Sequence, residues 1–269
     1  MQNPISKTAF YTLEVRAWDA KQAAPLCGDH LASRLVNDES QRIWDEVKHL
    51  SGPNSSIAMR HRIIDDLLEA ELVTKRDSTV VVIGAGFDTR SFRHPFGTWI
   101  EVDEPSVISY KEERLPASEC PNPLTRVPIE FSKESLVEKL KDFSSNRATH
   151  IVIEGVLMYL TLSEREELLR SLRDLFPRNY VYCDLMRRSF YEKYSRKVHE
   201  KMTGLGASFK DIVEQPEDLF ANAGYDTVSL TSIPLSAAKL GAGPVPHFFI
   251  RWLFGVIRRG YFVGKFKLD

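Results

Sequence analysis

Residues Thr79-Val80-Val81-Val82-Ile83 are all β-branched and carry no charged break. A half-exposed strand alternates apolar and polar residues. An unbroken run suits a strand buried on both faces, as in a parallel sheet covered by helices on each side. The run leads directly into Gly84-Ala85-Gly86, and further strand candidates follow at 99–102, 125–128, 150–153 and 180–183. Helical patterns fall between them at 105–114, 133–143 and 163–176. Strand, helix, strand repeated in this way predicts an α/β fold with a doubly wound, mostly parallel sheet. Alternating segments at Asp226–Ser232 and Tyr261–Leu268 supply two last strands, which makes seven.

The flanks are helical in pattern. Helices are predicted over 29–36, 39–50 and 55–74, the third opening at the cap cluster Asn54-Ser55-Ser56 behind Pro53. After Cys183 the alternation loosens into a polar helix over 187–202, a Gly204-Leu205-Gly206 break and a short helix over 216–223. One domain of 269 residues is expected, with 1–78 as a helical extension, 79–185 as the ligand-binding half, and 186–269 as the substrate region. Within the last part, 187–215 reads as an inserted lid hinged at Gly204 and Gly206.

Composition removes several classes. An apolar content of 43% supports a sizeable core, and 36 basic against 37 acidic side chains leave no basic footprint for nucleic acid or an acidic membrane surface. Cys27, Cys120 and Cys183 are odd in number, far apart and without a CxxC pair. That argues against a disulfide framework or a structural metal site and fits a cytoplasmic protein. Residues 1–13 have no secretory-signal pattern. The most apolar stretch, 245–257, is broken by Arg251 and shorter than the roughly 20 residues a membrane helix needs. It reads as a helix whose run Phe248, Phe249, Trp252 and Phe254 is either core or the face of a homodimer.

Four motifs carry the chemistry. In 80–90, VVVIGAGFDTR, Gly84 permits a tight turn and Gly86 lets a ligand approach the backbone. Thr89 stands where the third glycine of a dinucleotide fingerprint would be, so the motif does not fit that fingerprint. At the end of the next strand, Glu101 and Asp103 point to one side of an extended chain. A carboxylate there can accept hydrogen bonds from both hydroxyls of a ribose. The third motif, HIVIEGVLMYL, ends a strand at Glu154 and places Tyr159 beyond it, facing a substrate or packing. The fourth is Arg60-His61-Arg62, where helical spacing turns only one arginine inward. That arginine either grips a ligand carboxylate with its fork or pairs with Asp65 or Asp66.

GAGFDTR, EVDEP and EGVLMYL, in this order, resemble the leucine carboxyl methyltransferase family, a branch of the class I S-adenosylmethionine-dependent methyltransferases. That family includes an enzyme methylating the C-terminal leucine of a protein phosphatase and O-methyltransferases of polyketide pathways. The resemblance runs from about Thr8 to Leu162 and implies a Rossmann-like fold and S-adenosylmethionine as cofactor, leaving as S-adenosylhomocysteine. It places Arg60, and less directly Arg16, at the cofactor carboxylate, and Gly84, Gly86 and Asp88 in the cofactor loop. It puts Asp103 on the ribose with Glu101 beside it, and Glu154 at the amino group. The family's Asp-Leu near the adenine reads Glu130-Phe131 here, which the resemblance still places at the cofactor, with Glu130 accepting the adenine amino group, and its N-terminal Asp-Pro reads Asp29-His30.

The resemblance implies O-methylation of a small-molecule acceptor, at a carboxylate or a hydroxyl, with Tyr159 orienting it. A protein C-terminal carboxylate is the alternative acceptor. Two readings from other classes are an NAD-dependent oxidoreductase, which the missing glycine opposes, and a non-catalytic interaction protein, which the retained acids oppose.

Overall fold

In a computed structural model, residues 7–144, 147–196, 208–242, 247–252 and 255–268 are described. Seven strands form one sheet: β1 (Thr79–Ile83), β2 (Thr98–Asp103), β3 (Leu124–Pro128), β4 (Thr149–Ile153), β5 (Asn179–Met186), β6 (Asp226–Ser232) and β7 (Tyr261–Leu268). Their order is β3-β2-β1-β4-β5-β7-β6. The first five run parallel, and β7 is antiparallel to both its neighbours. The order reverses between β1 and β4, which opens a crevice at their carboxyl ends.

The unbroken apolar run of β1 is explained by its two covered faces. Val81 and Ile83 pack with Ile151, Ile153 and Leu172 on one side. Val80 and Val82 pack with Ile64, Leu68 and Leu72 on the other. Helices α1 (Lys7–Asp19), α2 (Asp38–Val47) and α3 (Ser51–Leu72) make up the N-terminal part. They close a third apolar cluster in which Phe10, Leu13, Val47 and Ala58 surround Phe87 of the glycine turn. The extension is thereby fastened to the loop after β1.

On the sheet flanks lie α4 (Pro105–Arg114), α5 (Leu136–Leu140) and α6 (Leu162–Leu175). The later helices are α7 (Asp218–Asn222), α8 (Ile233–Lys239), α9 (His247–Trp252) and α10 (Gly255–Gly260).

Several expectations are corrected locally. Helix α3 starts at Ser51, not Ser55, and Asn54 is no cap. It is buried, accepts the Tyr11 hydroxyl proton at 2.6 Å and donates to the Val47 carbonyl, so it joins α1, α2 and α3. Pro53 is tolerated because a first-turn N–H has no helical partner to lose. The segment 29–36 is a 3-10 turn, His30–Leu35, capped by Asp29. The expected helix over 133–143 shortens to α5 plus a 3-10 turn. Of the expected lid, Arg188–Phe190 and Tyr191–Ser195 are helical turns, the second of π type, while Gly204 and Gly206 lie outside the described residues. In the aromatic run, Phe248 and Phe249 are exposed, and Phe254 lies outside the described residues. Among the described residues no helix is long and apolar enough to cross a membrane.

Candidate active site

A cavity of about 570 Å³ occupies the crevice beyond the carboxyl ends of β1, β2, β4 and β5. Gly84, Asp103, Glu154 and Met186 mark those strand ends on its wall. The turn after β1 is tightly constrained: Gly84 has φ +64°, and a Cβ there would lie 2.5 Å from Val156 Cγ2. Only glycine fits both conditions. The next link in the turn is the Gly86 N–H, which donates to Asp103 Oδ2 at 2.5 Å. The Glu104 N–H donates to Oδ1 at 2.6 Å. Burial pushes the Asp103 carboxyl up to about 6, against the lowering effect of those two N–H groups and of Lys111.

Helix α1 forms a second wall. Thr8, Thr12 and Arg16 recur at every fourth residue and line the cavity along one stripe. Each Arg16 nitrogen already has a protein partner: Nη1 meets Asp29 at 2.5 Å, Nη2 donates to the Phe87 carbonyl at 2.9 Å and Nε to the Thr12 carbonyl. Arg16 therefore braces the glycine turn.

Arg60 and Glu154 meet at the centre. Arg60 Nε donates to Glu154 Oε1 at 3.0 Å, and Nη1 donates to Asp184 Oδ2 at 2.9 Å and to the Tyr261 hydroxyl at 3.1 Å. Arg60 Nη2 has no hydrogen-bond partner among the described residues, and Arg60 lines the cavity. Burial would lower the Arg60 guanidinium, but Asp184, Tyr261 and Glu154 hold it well above its ordinary value. Burial likewise works to raise the Glu154 carboxyl. Arg90, His61 and Arg60 overcome it and keep Glu154 well below the usual carboxylate range.

Behind this pair, Arg90 is fully buried and donates to Glu154 Oε2 at 2.7 Å and to the His61 carbonyl at 3.0 Å. Its guanidinium also pairs with Asp65 and Asp88. His61 Nε2 lies 2.8 Å from Arg93 Nη2, which can only donate, and Nδ1 lies 3.1 Å from Glu154 Oε2, which accepts. Nδ1 also lies 2.8 Å from Arg90 Nη2, a second group that can only donate, so no single tautomer satisfies all three contacts.

The residues expected at the site separate into two groups. Arg16, Arg60, Gly84, Gly86, Asp88, Asp103, Glu154 and Tyr159 all line the cavity. Asp88 is turned to Arg90, accepting its backbone N–H at 2.7 Å. Glu101, Glu130 and Phe131 do not line it. Glu101 sits deeper in the sheet, 2.8 Å from Lys111 Nζ and 3.1 Å from Arg126 Nε, and is 1% exposed. Two residues along a strand share a side, but α4 and β3 roof over the inner one. Glu130 pairs with Lys133 outside the cavity, and Phe131 is exposed. Arg62, the outward arginine of its pair, reaches Asp66 at 3.5 Å. Four participants were not singled out from sequence: His61, Arg90, Asp184 and Tyr261. A lone aspartate in the apolar strand YVYCDLM was the available signal for Asp184.

The far end of the cavity differs in chemistry. Met158, Met186, Phe190, Phe209, Ile250 and Ile257 line it. The Tyr159 ring meets Phe209 edge-on at 5.4 Å, and burial raises the Tyr159 hydroxyl. That phenol stays protonated at neutral pH and can donate a hydrogen bond.

The leucine carboxyl methyltransferase model matches residues 9–173, more than half of the sequence. The chain belongs to the leucine carboxyl methyltransferase family. A relative is the tetracenomycin polyketide synthesis O-methyltransferase of Streptomyces glaucescens, 26% identical over 186 residues, covering 67% of this chain and 65% of that protein. Another, from Parafrankia, is provisionally assigned as an S-adenosylmethionine-dependent methyltransferase and is 31% identical over 64% of this chain and 59% of its own length. The chain thus spans less than two thirds of these relatives' lengths, 65% and 59%.

Solved structures share the architecture. A provisionally assigned methyltransferase from Thermobifida fusca superposes with a TM-score of 0.60 at 16% identity, over 95% of this chain and 94% of that one. The magnesium protoporphyrin IX methyltransferase of Synechocystis, solved with S-adenosylhomocysteine, has a TM-score of 0.51 at 11% identity, over 95% and 99%. The fold of this family member is the Rossmann-like α/β fold of class I methyltransferases.

Proposed function

We propose that this chain is an S-adenosylmethionine-dependent O-methyltransferase acting on a small molecule with an apolar body, at a carboxylate in preference to a hydroxyl. The observation that carries this reading is one continuous cavity with a polar end at the glycine turn and an apolar end beyond Tyr159. Its volume of about 570 Å³ lies within the range of small-molecule sites.

The residues at the polar end fit the cofactor. Each Asp103 oxygen accepts one backbone N–H and keeps a lone pair for a ribose hydroxyl. Arg60 Nη2 carries two N–H groups with no partner among the described residues, which suits an amino-acid carboxylate. Glu154, held ionised by its arginines, suits an ammonium. When bound, the cofactor supplies a methyl group activated by its sulfonium.

The chain's own contribution is placement and exclusion of water. Both His61 ring nitrogens are turned to protein partners, Nδ1 to Glu154 and Arg90 and Nε2 to Arg93. Apart from His61 and the charged groups at the polar end, the polar side chains described on the cavity wall are hydroxyls of threonine, serine and tyrosine. An acceptor carboxylate is already ionised at neutral pH and needs no base. Tyr159 would donate to it and fix its direction. The tetracenomycin relative, named for an O-methylation in polyketide synthesis, agrees with an apolar acceptor.

Calorimetric titration with S-adenosylhomocysteine, with NAD as the control, tests the cofactor. Release of S-adenosylhomocysteine with a panel of apolar carboxylic acids and phenols tests the acceptor. Binding of NAD alone would refute the assignment, and turnover of phenols only would refute the preference for a carboxylate.

A further inference from the structure

Asp184 is 2% exposed near the end of β5 and accepts three hydrogen bonds from three other parts of the chain. Its Oδ1 takes the Gly155 N–H at 2.7 Å. Its Oδ2 takes Arg60 Nη1 at 2.9 Å and the Tyr261 hydroxyl at 2.9 Å. The Tyr261 hydroxyl in turn accepts from Arg60 Nη1 at 3.1 Å. The proton count closes: the phenol gives its proton to Asp184 and receives one from Arg60, and both Nη1 hydrogens are used.

The consequence is an oriented guanidinium. Arg60 has five N–H groups. One goes to Glu154 and two go to Asp184 and Tyr261, which leaves the pair on Nη2. That pair lies against Gly155, where a Cβ would stand 3.1 Å from Arg60 Nη2. The same Gly155 is held by Asp184 through its N–H. A single carboxylate thus sets both the guanidinium and the backbone beside it. With Asp184 neutral, only the Glu154 contact would retain a charge partner, and the plane could turn about Nε.

We propose that Asp184, with Tyr261 as its bridge, is a positioning residue that aims Arg60 Nη2 at the carboxylate of the cofactor's amino-acid end. This rests on the cofactor reading above. It predicts selectivity between two ligands that share the adenosine and the thioether. S-adenosylhomocysteine has the amino-acid carboxylate, and 5′-methylthioadenosine lacks it.

Affinities of both ligands would be measured calorimetrically for the full chain and for Asp184→Asn, Tyr261→Phe, Arg60→Ala and Arg60→Ala/Asp184→Asn, with thermal melts to establish folding. The expected result for Asp184→Asn is a loss of at least about tenfold for S-adenosylhomocysteine, the scale of a charge-assisted hydrogen bond. Affinity for 5′-methylthioadenosine should be unchanged. Tyr261→Phe should lose less in the same direction. In the Arg60→Ala background, Asp184→Asn should add nothing. A merely structural role would weaken both ligands alike, and that result overturns the proposal. So does a further selective loss in the Arg60→Ala background. If Asp184→Asn does not fold, Tyr261→Phe decides alone: an equal effect on the two ligands, or none, overturns it. Failure of the unmodified chain to bind either ligand refutes the cofactor reading instead, and the proposal falls with it.

Discussion

Lowering the pH should weaken the cofactor site through Asp103 before it affects the other acids. Burial raises the Asp103 carboxyl to about 6 from 3.8, while Glu154 and Asp88 are held below their ordinary values by neighbouring arginines. The sign follows from what each state needs. The folded protein without ligand favours the protonated form, so its stability from this group is fully present below pH about 4 and lost as pH rises through about 6. Ribose hydroxyls donate, so the ligand favours the ionised form, and its affinity rises over the same interval. At pH 5 about one molecule in eleven carries the ionised Asp103. Affinity should then be about tenfold below its value at pH 7.5, or about 1.4 kcal/mol. S-adenosylhomocysteine itself has no group titrating between those limits. Calorimetry at pH 7.5, 6 and 5, with thermal melts at each, measures the effect. Asp103→Asn should be weak throughout and free of this slope. An affinity that stays flat down to pH 5 refutes the role of Asp103, as does the same slope in Asp103→Asn.

Three more outcomes are expected. Gly84→Ala should lower stability by about 1–3 kcal/mol and remove ligand binding, because φ +64° and the 2.5 Å approach to Val156 act together; melts and titration check both. Glu101→Gln should cost about 3–5 kcal/mol in denaturant unfolding, since it leaves Lys111 buried without its charge partner, yet the folded fraction should bind S-adenosylhomocysteine normally. Glu130→Ala, at a surface pair outside the cavity, should change stability by no more than about 0.5 kcal/mol and leave affinity unaltered in the same assays.

The layout of the sheet was legible because its signals are local. An unbroken β-branched run of five residues suits a doubly covered strand, and an acid at the carboxyl end of such a strand stands at the crevice. Glu101 shows where that logic stops. Its direction along β2 follows from alternation, but its burial depends on Lys111 and Arg126, which arrive from other elements. Arg90 closes GAGFDTR, but nothing local gives it a role, since its partners Asp65 and Glu154 stand 25 and 64 residues away. The start of α3 was misplaced for a similar reason. Asn54 looks like a cap until Tyr11 is seen to claim its side chain.

Tyr261 belongs to the final strand, and it touches an arginine 201 residues earlier in the chain. During synthesis, at roughly 5–20 residues per second, the N-terminal helices and β1–β4 can collapse well before that contact exists. Until β7 threads between β5 and β6, Arg60 lacks one of its three partners and the sheet lacks its antiparallel member. Insertion of β7 is therefore the event that completes the site, and a nascent chain should acquire ligand affinity only after β7 has been released.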